Sequence, residues 1–300
     1  MIIRNNSRAT INLGTVAGAS DIFHRQQVKL ITTKKISGSH KIKYWIDLFD
    51  SLAQYDETNE AKLKINSVLA RIFGSIAFFG MLIFYSLGWY WILIGFFVVL
   101  VIIFHFIDKG KNKADTNIEN HFRLYALPLF YVFQNEASPD THLKIDADFN
   151  KPEQKAYLIK TIPNIVDTYP QINRDFYKIN WLNAKLTFAD KTQVEITISD
   201  LIRVQKVTKR NPRGKIKTKT KRKIKQTIAV KVFFDKTKYK PATKTSTTQN
   251  LLEQADGYSI KIKSYNAIKT TNTNINYDEY TDINPLLAAI AQAYAAVVPI

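Results

Sequence analysis

The chain has 300 residues, a formal net charge of +18 and no cysteine. That length allows roughly two domains. The lack of thiols excludes a disulfide framework, thiolate zinc sites and a cysteine nucleophile, and the polar start, Met1 to Asn6, offers no apolar core for a cleavable signal peptide.

Residues 1–43 are polar, with short β-like pieces at Ala9–Leu13 and Gln27–Thr32, and define no domain of their own. From Tyr44 the apolar residues Trp45, Leu48, Phe49, Leu52 and Tyr55 recur at helical spacing, so residues 44–67 read as an amphipathic helical region. Its polar face carries Asp47, Asp50 and Asp56, which favours packing on the protein over packing on lipid. Asp56 to Asn59 should interrupt or bend this helix, with a second helix starting near Thr58.

Ile72 to Ile107 is a 36-residue run with no Lys, Arg, Asp or Glu. A single helix of that length would be about 54 Å long, against a hydrocarbon core of roughly 30 Å. Split at Gly88, residues 68–107 become a transmembrane helical hairpin of two spans, 68–87 and 89–107. Arg71 and Lys109 flank the spans, and Tyr85, Trp89, Tyr90 and Trp91 gather at the turn as interfacial rings. Cationic flanks on one side and an uncharged turn on the other predict an inner-membrane, multi-pass protein with both termini cytoplasmic. Gly74, Ser75, Ala77, Gly80 and Gly95 would permit close helix approach in a homo-oligomer.

Residues 116–300 then form a cytoplasmic α+β domain. Tyr125 to Phe133, broken by Pro128, is too short for a span and reads as core. Thr141 to Phe149 alternates as a strand, with Leu143, Ile145, Ala147 and Phe149 on one face. Ala156 to Asp167 reads as a short helix. Two hairpins follow. The first turns at Ala189 to Thr192, between Trp181–Phe188 and Val194–Ile198. The second has Ile202–Lys209 and Lys215–Phe234 as arms and turns at Arg210 to Gly214, where Pro212 presets φ and Gly214 accepts positive φ. Lys236–Gln249 and Thr270–Tyr277 read as loops, and Tyr258–Ile262 as a strand. A closing helix has Asn284 as N-cap, Pro285 at its first position and Pro299 beyond its end. Its Leu286, Ile290, Tyr294 and Val297 face should be buried or paired with a second copy in a homo-oligomer. The fold class expected is therefore an α+β membrane protein: a two-helix transmembrane hairpin, then a β-rich domain with a long basic β-hairpin and a C-terminal helix.

Charge concentrates in one place. From Lys191 to Lys244, 18 Lys and Arg stand against Glu195, Asp200 and Asp235, which is +15 of the chain's +18. Between Arg203 and Lys225, 12 of 23 residues are cationic and none is acidic: Arg203, Lys206, Lys209, Arg210, Arg213, Lys215, Lys217, Lys219, Lys221, Arg222, Lys223 and Lys225. Six of these lysines occupy consecutive odd positions, so in a strand they project from one face about 6.6 Å apart. One or two lysines would protect an exposed edge. Six in register call for an anionic ligand: nucleic acid, anionic membrane lipids or an acidic protein partner. No Phe, Tyr or Trp lies between Arg203 and Lys225, which favours reading phosphates over reading bases.

Enzyme signals are poor. His24, His40, His105, His121 and His142 share no metal-ligand or nucleophile spacing, no phosphate-binding or hydrolase motif occurs, and no metal site or cofactor is expected. The leading expectation is a non-enzymatic, membrane-anchored tethering or assembly protein that binds a polyanion. A second is a two-span effector whose β-rich domain senses a phosphorylated small ligand such as a cyclic nucleotide. In that outline it resembles bacterial immune effectors that respond to cyclic nucleotides. An enzyme of unrecognised type is the third.

Overall fold

The computed structural model describes residues 17–86, 95, 118, 120–164, 168–242, 251–269 and 281–300. In chain order, α1 (Ala17–Thr33), β1 (Lys35–Lys41) and α2 (Ile42–Ser86) come first. A π-helical turn at Phe122–Ala126 runs into α3 (Leu127–Glu136), followed by β2 (His142–Asp148), a 3-10 turn at Lys155–Tyr157 and β3 (Leu158–Ile162). Three long strands follow, β4 (Gln171–Thr187), β5 (Gln193–Arg210) and β6 (Ile216–Asp235). The described chain closes with β7 (Tyr239–Pro241), β8 (Leu251–Glu253), β9 (Gly257–Lys269), α4 (Asn284–Tyr294) and β10 (Val297–Pro299).

Eight strands make one antiparallel sheet in the order β1-β2-β4-β5-β6-β9-β8, with β3 also on β4; β7 and β10 pair separately. Alternation along the strands produces it. On β5, Val194, Ile196, Ile198, Ile202 and Val204 are buried while Glu195, Leu201 and Lys209 are exposed. One face therefore takes the core and the other is left open. The core joins Trp45, Leu48, Phe49 and Leu52 of α2 to Phe130 and Phe133 of α3 and to Phe149 and Trp181 on the sheet side. The Phe49 and Phe130 rings stack at 5.2 Å, and Trp45 Nε1 donates to the Leu143 carbonyl at 2.7 Å. Each such aromatic contributes about 3–5 kcal/mol relative to Ala.

Asp190 anchors the C-terminal elements to the β4–β5 turn. Its Oδ2 accepts hydrogen bonds from the Tyr239 and Tyr294 hydroxyls, both at 2.7 Å, and its Oδ1 one from the Thr192 N–H at 2.8 Å. Burial pushes this carboxyl up, but the donors outweigh it and hold the group below the usual carboxylate range.

Several sequence expectations are corrected. Gln27 to Thr32 lies in α1: Leu30 docks in the core, and the Thr32 and Thr33 hydroxyls donate back to helical carbonyls, so the β-branched residues are absorbed into the helix. Asp56 to Asn59 does not break α2, which runs unbroken for 45 residues. Asp56 is buried within 3.6 Å of the Arg123 guanidinium, a partner that no local reading supplies. Ala156 onward is the 3-10 turn and β3, because β4 offers this segment an edge; residues 165–167 lie outside the described residues. At α4 the cap position is Ile283, and the Asp282 carboxylate accepts the Asn284 N–H at 2.9 Å.

The larger correction concerns the membrane. Among the described residues no helix is long and apolar enough to cross one. The first proposed span falls on the tail of α2, a helix continuous with the segment that carries Lys62, Lys64 and Arg71. The second span, 89–107, and with it Trp89, Trp91, Tyr90 and Lys109, lies outside the described residues apart from Gly95. The transmembrane hairpin, the α+β membrane fold class and the multi-pass inner-membrane placement are therefore withdrawn. The two-span effector loses the feature on which it rested.

Candidate polyanion-binding face

The basic hairpin forms as the sequence predicts. β5 and β6 pair from Gln193↔Phe233 to Arg210↔Ile216 without a register shift. Gly214 sits at φ 77° and its N–H donates to the Asn211 carbonyl at 2.9 Å, while Asn211 Oδ1 accepts the Lys215 N–H at 2.7 Å. Positive φ is available to glycine without a Cβ clash. The turn therefore fixes the register, and the register fixes which face each cation takes.

Odd positions of β6 point away from the helices, because Ile224, Gln226, Ile228 and Val230 point towards them and are buried. Lys217, Lys219, Lys221, Lys223 and Lys225 are all exposed on this outer face, with Lys215 beside the turn. Directly opposite residues of an antiparallel pair share a face, so the rows across the sheet can be read out. Lys223 lies between Arg203 and Lys269. Lys225 lies between Leu201 and Ala267, with Lys178 next to Leu201. Lys221 follows Gln205 and Arg174, and Lys217 faces Lys209. Lys160 is opposite Phe176 on the same face, and Lys263 is one row beyond Tyr265.

From Lys209 and Lys217 at the turn to Lys263, the outer-face positions of β3, β4, β5, β6 and β9 include no carboxylate. Among the described residues none of the six ladder lysines makes an ion pair. Like charges directly opposite destabilise a sheet, and Lys223 has one on each side. At these strand positions no carboxylate offsets that repulsion.

The twelve sequence candidates divide. Arg203, Lys209 and the six lysines share the outer face, and Arg213 sits in the turn. Lys206, Arg210 and Arg222 have the opposite parity. Arg222 is held by Glu153: its Nε contacts Oε1, and Nη2 donates to Oε2 at 3.1 Å. That hydrogen bond raises the Arg222 pKa further. Sequence reasoning missed Arg174, Lys178, Lys160, Lys263 and Lys269, which lie far away in the chain and reach the field only through strand pairing. It also missed two aromatic residues on this face. Tyr265 is 58% exposed, with Lys225 Nζ 4.4 Å from its ring centroid, and Phe176 is half-buried between Arg174 and Lys178. Of the membrane-interface candidates, Arg71 is exposed on α2 and Tyr85 lies in its last turn.

The other end of the same face is different. A groove of about 600 Å³ is lined by Lys185, Glu195, Lys231, Phe233 and Asp256, so both charge signs are present. Lys35 pairs with Asp148 at 2.9 Å and Lys41 with Asp140 at 2.7 Å. Among the described residues no group of His, Asp and Glu could hold a metal ion.

Among the described residues the basic face is thus a half-sheet surface without a carboxylate, of the kind suited to electrostatic recognition of polyanions. Comparison with protein families, with curated proteins and with solved structures finds no match for the chain.

Proposed function

We propose that this is a non-enzymatic nucleic-acid-binding protein that grips a phosphate backbone with the outer face of β5, β6 and β9. The observation that carries the reading is the alignment of six lysines on one face, bordered by cations of neighbouring strands with no carboxylate among them. The ladder extends about 33 Å from Lys215 to Lys225. A linear polyanion with a regular charge repeat matches that length. Protein interfaces, by contrast, are depleted in Lys and enriched in apolar anchors at their centre. Phosphate contacts made through flexible ammonium groups are sequence-independent and salt-sensitive.

The test is a titration of the full chain with labelled nucleic acid, polyglutamate and anionic vesicles over a salt series. Six phosphates neutralised on a duplex predict a slope of log K against log salt of about −5, and on a single strand about −4. Replacing the six lysines by Gln should weaken nucleic-acid binding by at least about 100-fold and flatten that slope. Unchanged affinity in the sixfold variant overturns the reading. So does tighter binding to polyglutamate or to vesicles than to nucleic acid.

A further inference from the structure

We propose that the nucleic acid is single-stranded and that Tyr265 is a stacking platform for one of its bases. This rests on the phosphate-binding reading above and specifies its ligand. Tyr265 belongs to β9, 40 residues after Lys225 in sequence, yet its ring lies 4.4 Å from the Lys225 ammonium, one row beyond the end of the lysine ladder and next to Lys263. A tyrosine left 58% exposed in such a field contributes little to the core. It presents a π-face where a backbone held by Lys223, Lys225, Lys263 and Lys269 would place its bases.

Two further apolar side chains continue from Tyr265 diagonally across the sheet. Leu201, 38% exposed, is two strands over and two residues along, about 12 Å away by strand geometry. Phe176 is one strand further and two residues on, about 8 Å from Leu201. Tyr265, Leu201 and Phe176 thus form an apolar diagonal edged by Lys225, Lys223, Lys178 and Arg203. Alternating cations and flat apolar surfaces suit a strand whose phosphates and bases are both accessible.

Width separates this ligand from a duplex. The face spans β4, β5, β6 and β9, about 14 Å between the outer strand axes before side chains are added. A major groove about 12 Å wide admits a two-stranded ribbon, and paired bases keep their π-faces covered. A four-stranded face can meet a duplex only along its phosphates, which would leave Tyr265 unused.

The experiment compares single-stranded DNA and RNA oligonucleotides with the corresponding duplexes on the full chain, using wild type, Tyr265→Ala, Tyr265→Phe and the sixfold Lys→Gln variant. Single strands should bind at least about tenfold more tightly than duplexes at equal salt. Tyr265→Ala should lose about 5- to 100-fold of single-strand affinity with an unchanged salt slope, and Tyr265→Phe should retain most of it. An unchanged thermal midpoint would confirm that the exposed-site variants fold. Equal binding of duplex and single strand, or full affinity in Tyr265→Ala, overturns the stacking proposal. If the Lys→Gln variant still loses binding, the phosphate reading stands alone; if neither substitution matters, both readings fall together.

Discussion

The two ends of the central sheet follow the same alternation and reach opposite results. At the end near α2 and α3, the inner face, with Trp181, packs against Trp45 and Phe49 of α2 and Phe130 of α3, and the outer face sets Asp146, Asp148 and Glu195 among its cations. At the hairpin end, among the described residues, the inner face has the small cluster of Ile202, Val204, Ile224 and Ile268 with Tyr177 against it, and the outer-face strand positions are cationic with no carboxylate. One end holds the fold together, and the other spends stability to present charge. A cation opposite a carboxylate is compensated within the sheet, whereas a cation opposite another cation is not.

The most severe way to probe that contrast is to remove a core ring. Phe49→Ala should cost about 3–5 kcal/mol in global unfolding, read by denaturant titration, whereas Ile202→Val at the hairpin end should cost about 1 kcal/mol. Amides of the hairpin end should also exchange faster than those around Trp45 in hydrogen-exchange measurements. Equal protection at both ends would abolish the distinction.

Acid should attack the core end first. His121 is fully buried against Trp181, at 5.1 Å between ring centroids, and desolvation drives its pKa down to about 3. The unfolded chain binds a proton near pH 6.5 that the folded chain refuses. Stability should therefore fall as pH drops from about 6.5 towards 3, by up to about 1.4 kcal/mol per pH unit. His121→Phe should flatten that slope in urea unfolding at several pH values. Asp190 acts lower: its depressed carboxyl contributes stability above the ordinary Asp value, lost as pH falls through the folded pKa.

Smaller effects sharpen the site itself. Replacing Gly214 by Ala forces a Cβ into positive φ and should cost about 1–2 kcal/mol, with hairpin amides exchanging sooner. Lys221→Gln should leave stability within about 0.5 kcal/mol while shrinking the salt slope of nucleic-acid binding by roughly one. Arg222→Gln, adjacent in sequence but paired with Glu153 on the other face, should leave that slope unchanged. A slope change from Arg222 equal to that from Lys221 would show that strand parity does not decide which cations bind.

The sequence by itself determined what depends on neighbours in the chain. The Trp45 to Leu52 stripe, the alternation of Leu143 to Phe149, the Pro212–Gly214 turn and the lysine register are local patterns of period 3.6 or 2, and each matches the fold. Only the tertiary structure decided which surfaces face each other. The two expected hairpins share one continuous β5, because its inner face stays buried from Val194 to Val204, with Asp200 the one charged group on it. Asp56 stayed helical because Arg123 reaches it, and the apolar tail of α2 lost its reading as a span. Strand pairing brought Lys263, Tyr265, Arg174 and Phe176 beside the ladder from up to 50 residues away in sequence. Side-chain parity is written in the chain, but the partner opposite a strand is fixed by burial over long loops, where sequence distance carries no information.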